Sequence, residues 1–124
     1  MSSIALYKVL SDPLRIRILN LLSEGPLCVC HLMEILNCEQ VRMSKQLRYM
    51  KEQGLVLGER DAQWIIYRLE NSEEAVLKTN LHLLRESSDQ ALPLKADLRH
   101  RGEVVERLCA EDNRLAERVG ETCC

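Results

Sequence analysis

Cysteine is the chemically most informative residue type in this sequence, which contains six cysteines among 124 residues. Two close pairs occur, Cys28 with Cys30 and Cys123 with Cys124, while Cys38 and Cys109 stand alone. In a reducing compartment, cysteines are more often free thiols, metal ligands or redox centres than structural disulfides. The pairs therefore indicate soft-ion or redox chemistry.

The Cys28/Cys30 pair can act as one site only if the backbone changes conformation between the two residues. On a regular helix, side chains two residues apart point about 200° away from each other. If Pro26 keeps Cys28 extended and Cys30 lies in the first helical turn, the thiols converge. The helix N-terminus then lowers their pKa values toward the thiolate, the form that binds soft ions. His31 is expected to face solvent or to cap the helix.

Composition places these thiols in a single globular domain with an appendage. The chain is 46% hydrophobic and 29% charged and lacks Phe, so we expect a helical core of Leu, Ile, Val and Met. No apolar run approaches the roughly 18 residues of a membrane span, and the N-terminus lacks a signal-peptide pattern. We therefore expect a cytoplasmic protein with no membrane partner.

A local basic patch stands out in a chain whose net charge is −2. Residues 40–51 contain four basic side chains and no acidic one. Met43, Leu47 and Met50 recur at helical spacing, which predicts a helix with a buried apolar face and a polar outer face. Arg and Lys bind phosphates and guanine edges, Gln pairs with adenine, and Ser and Tyr donate to phosphates. The residues predicted to bind DNA on this helix are Arg42, Ser44, Lys45, Gln46, Arg48 and Tyr49.

The neighbouring segments complete a winged helix-turn-helix. Residues 29–36 have a helical apolar stripe and are followed by the polar turn 37–40, so two short helices are joined tightly. After Gly54, the extended runs 55–57 and 64–67 flank the polar segment 59–63, which predicts a hairpin whose tip carries Arg60 and Gln63. The predicted fold class is mainly α with a small β-hairpin, in a dimer.

The dimer is expected because a later helix has more apolar surface than one small core can cover. Its stripe consists of Val76, Leu77, Leu81 and Leu84. A two-fold homodimer would bind a pseudo-palindromic double-stranded operator. From Leu94 onward, a coiled-coil-like seam is predicted, interrupted by Arg101 and Asp112. We therefore divide the chain into a DNA-binding and dimerisation domain, 1–89, and a helical extension with a cysteine-rich end, 90–124.

Enzyme motifs are absent from the sequence. No cysteine is followed six residues later by Arg, no Cys-x-x-Cys occurs, and no Ser/His/Asp constellation or Gly-rich phosphate loop is present. We expect neither catalysis nor an organic cofactor. Two alternatives to an ion sensor stay open: a thiol redox sensor with the same fold, and a protein-binding module that uses the C-terminal seam.

Four blocks of the sequence, at residues 10–19, 26–32, 44–56 and 64–69, occur in an order and at spacings that together are specific. They resemble the opening helix, the metal-binding helix entry, the recognition helix and the second wing strand of the ArsR/SmtB family of metal-responsive repressors. The resemblance spans roughly residues 4–85, and the arsenic-sensor branch is the most similar.

This resemblance implies a repressor that leaves its operator when As(III), or another soft ion such as Cd(II) or Cu(I), binds Cys28 and Cys30. Met33 stands where the arsenic sensors have a third cysteine, and a thioether suits Cu(I) better than As(III). Cys38 is about 12 Å from Cys30 along a helix. The third ligand is therefore expected from Cys109, Cys123, Cys124 or a small cellular thiol. His82 with Glu86 offers an alternative zinc site.

Overall fold

The computed structural model describes residues 3–70 and 74–111. The helices are α1 (Ser3–Val9), α2 (Pro13–Leu22), α3 (Val29–Leu36), α4 (Gln40–Glu52), α5 (Glu74–Arg85) and α6 (Leu94–Glu111). The strands are β1 (Leu27–Cys28), β2 (Val56–Asp61) and β3 (Trp64–Leu69). No helix within the described ranges is long and apolar enough to cross a bilayer.

Local sequence signals account for where α2 begins. The Asp12 side chain accepts a hydrogen bond from the Arg15 backbone N–H at 3.0 Å, and Pro13 occupies the first helical position. Both features satisfy or remove N–H groups that lack an intrahelical partner. The helix carries much of the hydrophobic core, including Ile18 and Leu19, which are fully buried.

The predicted helix-turn-helix is confirmed in α3 and α4. Asn37 ends α3 with a left-handed backbone, φ 49°, and the Cys38 N–H donates to the Met33 carbonyl at 3.1 Å. This conformation, which Asn tolerates better than most residues, ends the helix and turns the chain sharply. Leu32 of α3 is buried in the same core as Met43 and Leu47 of α4, so the two helices share one apolar interface.

The predicted hairpin is present, but it is longer than expected and belongs to a three-stranded antiparallel sheet of order β1-β3-β2. Residues 59–61, assigned to the loop from their polarity, continue β2 because their backbones pair with residues 64–66 of β3. Arg60 therefore lies in the strand opposite Ile65 rather than at the tip. A Cβ at position 58 would come within 2.8 Å of the Tyr67 ring, so Gly58 leaves room for that ring against β2.

The apolar stripes of α5 and α6 are covered mainly by this chain's own core, contrary to the expectation for both segments. Leu77 and Leu81 of α5 are buried, and only Val76 of the predicted stripe is largely exposed. On α6, Leu94 and Leu108 are buried in the same core, which includes residues of α2 and α3. Seam positions beyond residue 111 lie outside the described residues.

Polar contacts tie α6 to the rest of the domain. The Arg17 guanidinium makes two hydrogen bonds to the Asp97 carboxylate, at 2.8 and 3.0 Å, and the Asp97 side chain is only 7% exposed. The Arg101 Nε donates to the Leu21 carbonyl at 3.1 Å, near the end of α2. Arg101 was expected to interrupt a seam, but it is buried and donates to backbone carbonyls. The contacts of Asp97 and Arg101 therefore hold α6 against α2.

Replacing Arg17 with Met should lower the free energy of unfolding by about 2–3 kcal/mol, because it leaves the nearly buried Asp97 carboxylate without its partner. Urea denaturation measures this change. The control is Lys95→Ala, which removes an exposed pair with Glu86 and should cost less than about 0.5 kcal/mol. Equal effects of the two substitutions would contradict the assigned role of the Arg17–Asp97 contact.

Candidate thiol site and nucleic-acid interface

The thiol site is built on a change from strand to helix at Cys28. This residue has extended dihedrals, φ −70° and ψ 146°, pairs with Ile66 of β3, and immediately precedes the first residue of α3. Cys30 lies in the first turn of α3. As a result the two Sγ atoms are 3.0 Å apart. The structure therefore brings together the two thiols that would diverge on a continuous helix.

His31 belongs to this cluster, and the expectation that it faces solvent or caps the helix is wrong. Its side chain is buried, and its Nδ1 lies 3.2 Å from the Cys30 Sγ. The ligand atoms of Cys28, Cys30 and His31 all lie within 4.8 Å of one another. Within the described part of the chain, no other trio of His, Cys, Asp or Glu forms such a cluster, so His82 and Glu86 do not belong to one.

The close contact between the thiols makes them share a proton unequally. A hydrogen bond from the Cys30 thiol lowers the pKa of Cys28 far below its ordinary value; burial opposes this shift, and a contact with His31 adds to it. The same hydrogen bond, together with burial, raises the pKa of Cys30. The two thiols therefore titrate as a coupled pair, which loses its first proton more easily than an isolated cysteine does.

A cleft of about 490 Å³ opens beside the thiols, between α3, α4 and β3. Its wall is mainly apolar on the side of the sheet and polar where α4 begins. The lining residues are Cys28, Val29, Cys30, Met33, Gln40, Ser44, Leu47, Gln63, Trp64, Ile65 and Tyr67. The thiols thus face a space that the second helix of the helix-turn-helix and the wing both border.

The residues predicted to bind DNA fall into four groups on α4 and the wing. Arg42, Lys45 and Arg48 are exposed. Ser44 lines the cleft instead. Arg60, on the wing, is also exposed. The structure thus places four cationic side chains where a phosphate backbone could reach them, and their binding to DNA stays a prediction.

Gln46 and Tyr49 are engaged by Arg15 of α2. The Arg15 Nη1 donates to the Gln46 Oε1 at 3.3 Å, and its guanidinium lies 4.6 Å from the centre of the Tyr49 ring. The Arg15 Nε also donates to the Val9 carbonyl at 2.8 Å. Arg15 therefore links the end of α1 to α4 and positions two side chains that were expected to be free for base or phosphate contacts.

Of the other cysteines, only Cys38 has a described side chain, and it does not join the cluster. Cys38 lies in the turn after α3, where its thiol contacts the Glu39 carbonyl at 3.5 Å. The Cys109 side chain, Cys123 and Cys124 lie outside the part of the chain that the structure describes, so their predicted role as ligands stays a prediction. Met33 lines the cleft beside the thiols.

Sequence analysis missed the roles of His31, Arg15 and Arg107. His31 had a signal, since a histidine directly after a metal-ligand cysteine in a first helical turn lies close to it. Arg15 and Arg107 had none, because their partners are far away in the chain. Arg107 of α6 forms two hydrogen bonds with the Glu34 carboxylate of α3, at 2.7 and 3.0 Å, and lowers the pKa of Glu34.

Comparisons with known proteins agree with this architecture. Residues 12–57 match the family model described as "Bacterial regulatory protein, arsR family". The chain is 43% identical over 67 residues to an arsenical resistance operon repressor of Escherichia coli, covering 53% of this chain and 57% of that protein. It is 33% identical over 90 residues to an arsenical resistance operon repressor of Staphylococcus xylosus, covering 73% and 86%.

Among solved structures, the AntR antimony-specific transcriptional repressor is similar, with a TM-score of 0.58 and 28% identity. The match covers 67% of this chain and 77% of that one. The matches to the first three curated relatives span only 50–57% of those proteins' lengths. The similarity is therefore better supported for the helix-turn-helix, which includes the thiol pair, than for the rest of the chain.

Replacing Cys30 with Ala should raise the pKa of Cys28 toward the ordinary thiol value of about 8.5, because it removes the hydrogen bond that stabilises the thiolate. The ultraviolet absorbance of thiolate, titrated with pH and referenced to Cys28→Ala protein, measures the midpoint. The control is Cys38→Ala, which should leave the midpoint in place. An unchanged midpoint in Cys30→Ala protein would show that the thiols do not share a proton.

Proposed function

The chain belongs to the ArsR family of bacterial regulatory proteins, and we propose that it is a cytoplasmic repressor that releases operator DNA when As(III) binds Cys28 and Cys30. The observation that carries this proposal is the 3.0 Å contact between the two sulfur atoms at the base of the helix-turn-helix. Soft ions select thiolate ligands. The relatives named as arsenical resistance repressors and the antimony-specific structural neighbour support a trivalent thiophilic inducer.

The DNA-binding surface in this proposal is the outer face of α4 together with the wing. Arg42, Lys45 and Arg48 would contact phosphates or guanine edges in the major groove, and Arg60 would contact the adjacent backbone. Gln46 and Tyr49 would act from positions held by Arg15. Ser44 borders the cleft, so its hydroxyl is in a position to respond to a ligand there.

The proposed DNA-binding unit is a homodimer. Exposed apolar side chains occur on α1, where Ile4 is 73% and Tyr7 55% exposed, and on α5, where Leu83 is 65% exposed. In the proposed dimer, a second copy of the chain covers these exposed apolar side chains. We propose that residues 1–89 carry the DNA and dimer contacts, while α6, within the extension 90–124, packs against α3.

The position of the thiols supports a direct route from ligand to DNA. Cys28 belongs to the sheet that carries the wing, and Cys30 belongs to α3, against which α4 packs. A ligand bound to both sulfurs therefore joins two elements whose relative position determines how α4 and the wing fit the groove. If binding favours an arrangement with lower operator affinity, DNA must weaken ligand binding by the same factor.

A second candidate function follows from His31. Two thiols and an imidazole form the kind of partial ligand set that a divalent ion such as Zn(II) or Cd(II) accepts, with a fourth position left for another donor. In this alternative His31 is a ligand. In the arsenical proposal it stays a hydrogen-bond partner of the thiols.

Replacing Lys45 with Ala should weaken operator binding several-fold and reduce the slope of log affinity against log salt by about one, as expected when one phosphate contact is lost. Fluorescence anisotropy at several salt concentrations measures both quantities. The control is Lys95→Ala on α6, which should change neither. Wild-type affinity and wild-type slope in Lys45→Ala protein would contradict the placement of this side chain of α4 in the DNA interface.

Ion selectivity in variants of the thiol site separates the two candidate inducers. In Cys28→Ser protein, As(III) should no longer release the operator, because one of the two As–S bonds cannot form. In His31→Ala protein, release by As(III) should persist while any release by Zn(II) or Cd(II) is lost. The control is Cys38→Ser, and the measurement is anisotropy of labelled operator titrated with each ion.

Release of DNA from Cys28→Ser protein at the wild-type As(III) concentration would overturn the proposed site. Loss of the As(III) response in His31→Ala protein, with Zn(II) and Cd(II) active in the wild type, would favour the divalent-ion alternative.

A further inference from the structure

The cleft beside the thiols is much larger than a bare ion needs. Its volume of about 490 Å³ lies in the range of roughly 300–1,000 Å³ that holds small organic ligands in proteins. A water molecule, by comparison, occupies about 30 Å³ in the liquid. Cys28 and Cys30 both line the cleft. A ligand bound to them therefore has room to extend away from the thiols.

The chemistry of the wall indicates what that extension would be. Met33, Leu47, Trp64 and Ile65 present apolar surface to the cleft, and Gln40, Ser44 and Gln63 supply its polar part. Among the described residues, no acidic or basic side chain lines the cleft. An apolar or aromatic group is thus favoured over a charged one, because burying an unpaired charge is costly.

The number of thiols in the cluster also favours a ligand that carries an organic group. A trivalent arsenic atom makes three covalent bonds, and the described cluster provides two thiols. Met33 borders the cleft where a third sulfur could act, but a thioether has no proton to exchange and cannot replace a hydroxyl group on arsenic. An arsenic atom that already carries one carbon substituent needs only the two thiols.

We propose that the inducer is a trivalent arsenical with one apolar organic substituent, whose arsenic binds Cys28 and Cys30 and whose substituent occupies the cleft. This inference rests on the proposed arsenical function and names the ligand class of that site. In the binding step, R–As(OH)₂ reacts with the pair after it has lost one proton. Two As–S bonds form, two As–OH bonds break, and two waters leave, one with the remaining thiol proton and one with a proton from solvent. No oxidation or reduction occurs.

The cleft position also explains how such a ligand would act on DNA binding. The substituent would lie between Trp64 and Ile65 of the wing and Ser44 and Leu47 of α4. It would contact both DNA-binding elements, whereas a bare ion would contact only the thiols. A substituted arsenical should therefore release the operator at a lower concentration than arsenite.

The experiment compares arsenite, methylarsonous acid and phenylarsine oxide on the full chain bound to its operator, without added thiol. Phenylarsine oxide should act at a concentration about tenfold lower than arsenite, which is a typical effect of filling an apolar pocket. Ile65→Trp fills the cleft from its edge. It should raise the phenylarsine oxide requirement by about tenfold and the arsenite requirement by less than about threefold. The matched control is Ala96→Trp, an exposed position on α6, which should change neither.

Trp64 provides a second measurement on unmodified protein. It is the single tryptophan of the chain and lines the cleft. Its fluorescence should change on saturation with phenylarsine oxide by more than on saturation with arsenite. This readout does not depend on a variant that folds.

The outcomes separate the inference from the proposed function. If none of the three arsenicals releases the operator, the proposed function itself fails. If arsenite releases the operator, either of two results would contradict the inference alone. In the first, Ile65→Trp raises the required concentrations of phenylarsine oxide and arsenite by the same factor. In the second, phenylarsine oxide changes Trp64 fluorescence no more than arsenite does. Selective loss of the phenyl response in Ile65→Trp protein would support it.

Discussion

The backbone transition at Cys28 is the constraint on which the arrangement of this protein depends. Cys28 is the last residue of a two-residue strand paired with β3, and Val29 is the first residue of α3. Strand pairing directs the Cys28 side chain, while helix geometry directs that of Cys30, and only this combination puts both sulfurs on one side. Moving the transition by one residue would separate the thiols and detach α3 from the sheet.

Because the transition joins the sheet to the helix-turn-helix, the site lies where three functional elements meet. β3, which pairs with β1, is one strand of the wing. α4 packs on α3, and the cleft is lined by residues of α3, α4 and β3. The opposite side of the same region is held by α6. Its Arg101 donates to the Pro26 carbonyl at 3.4 Å, just before the thiol pair, and its Arg107 binds Glu34 on α3. These contacts hold α3 and the segment before the thiol pair against α6.

Much of this fold follows from local patterns. The N-cap at Asp12, the apolar spacing of α4 and the apolar run of β3 act within a few residues, so their physical effects are visible in a short stretch of sequence. The thiol pair was also identified, with the condition that the backbone must change conformation between its members. The hairpin length was underestimated because polarity in residues 59–61 was taken as a loop signal, although an exposed strand at the edge of a sheet tolerates polar residues.

The sequence by itself determined which segments are helices, where the hairpin lies, the presence of paired thiols at a helix start and the basic face of α4. Tertiary structure alone decided which groups surround those features. The burial of His31 against the thiols, the hold of Arg15 on Gln46 and Tyr49, and the packing of α6 within this chain's core all depend on contacts between distant segments. The cleft beside Cys28 and Cys30 exists for the same reason, since its walls come from three elements that only the folded chain brings together.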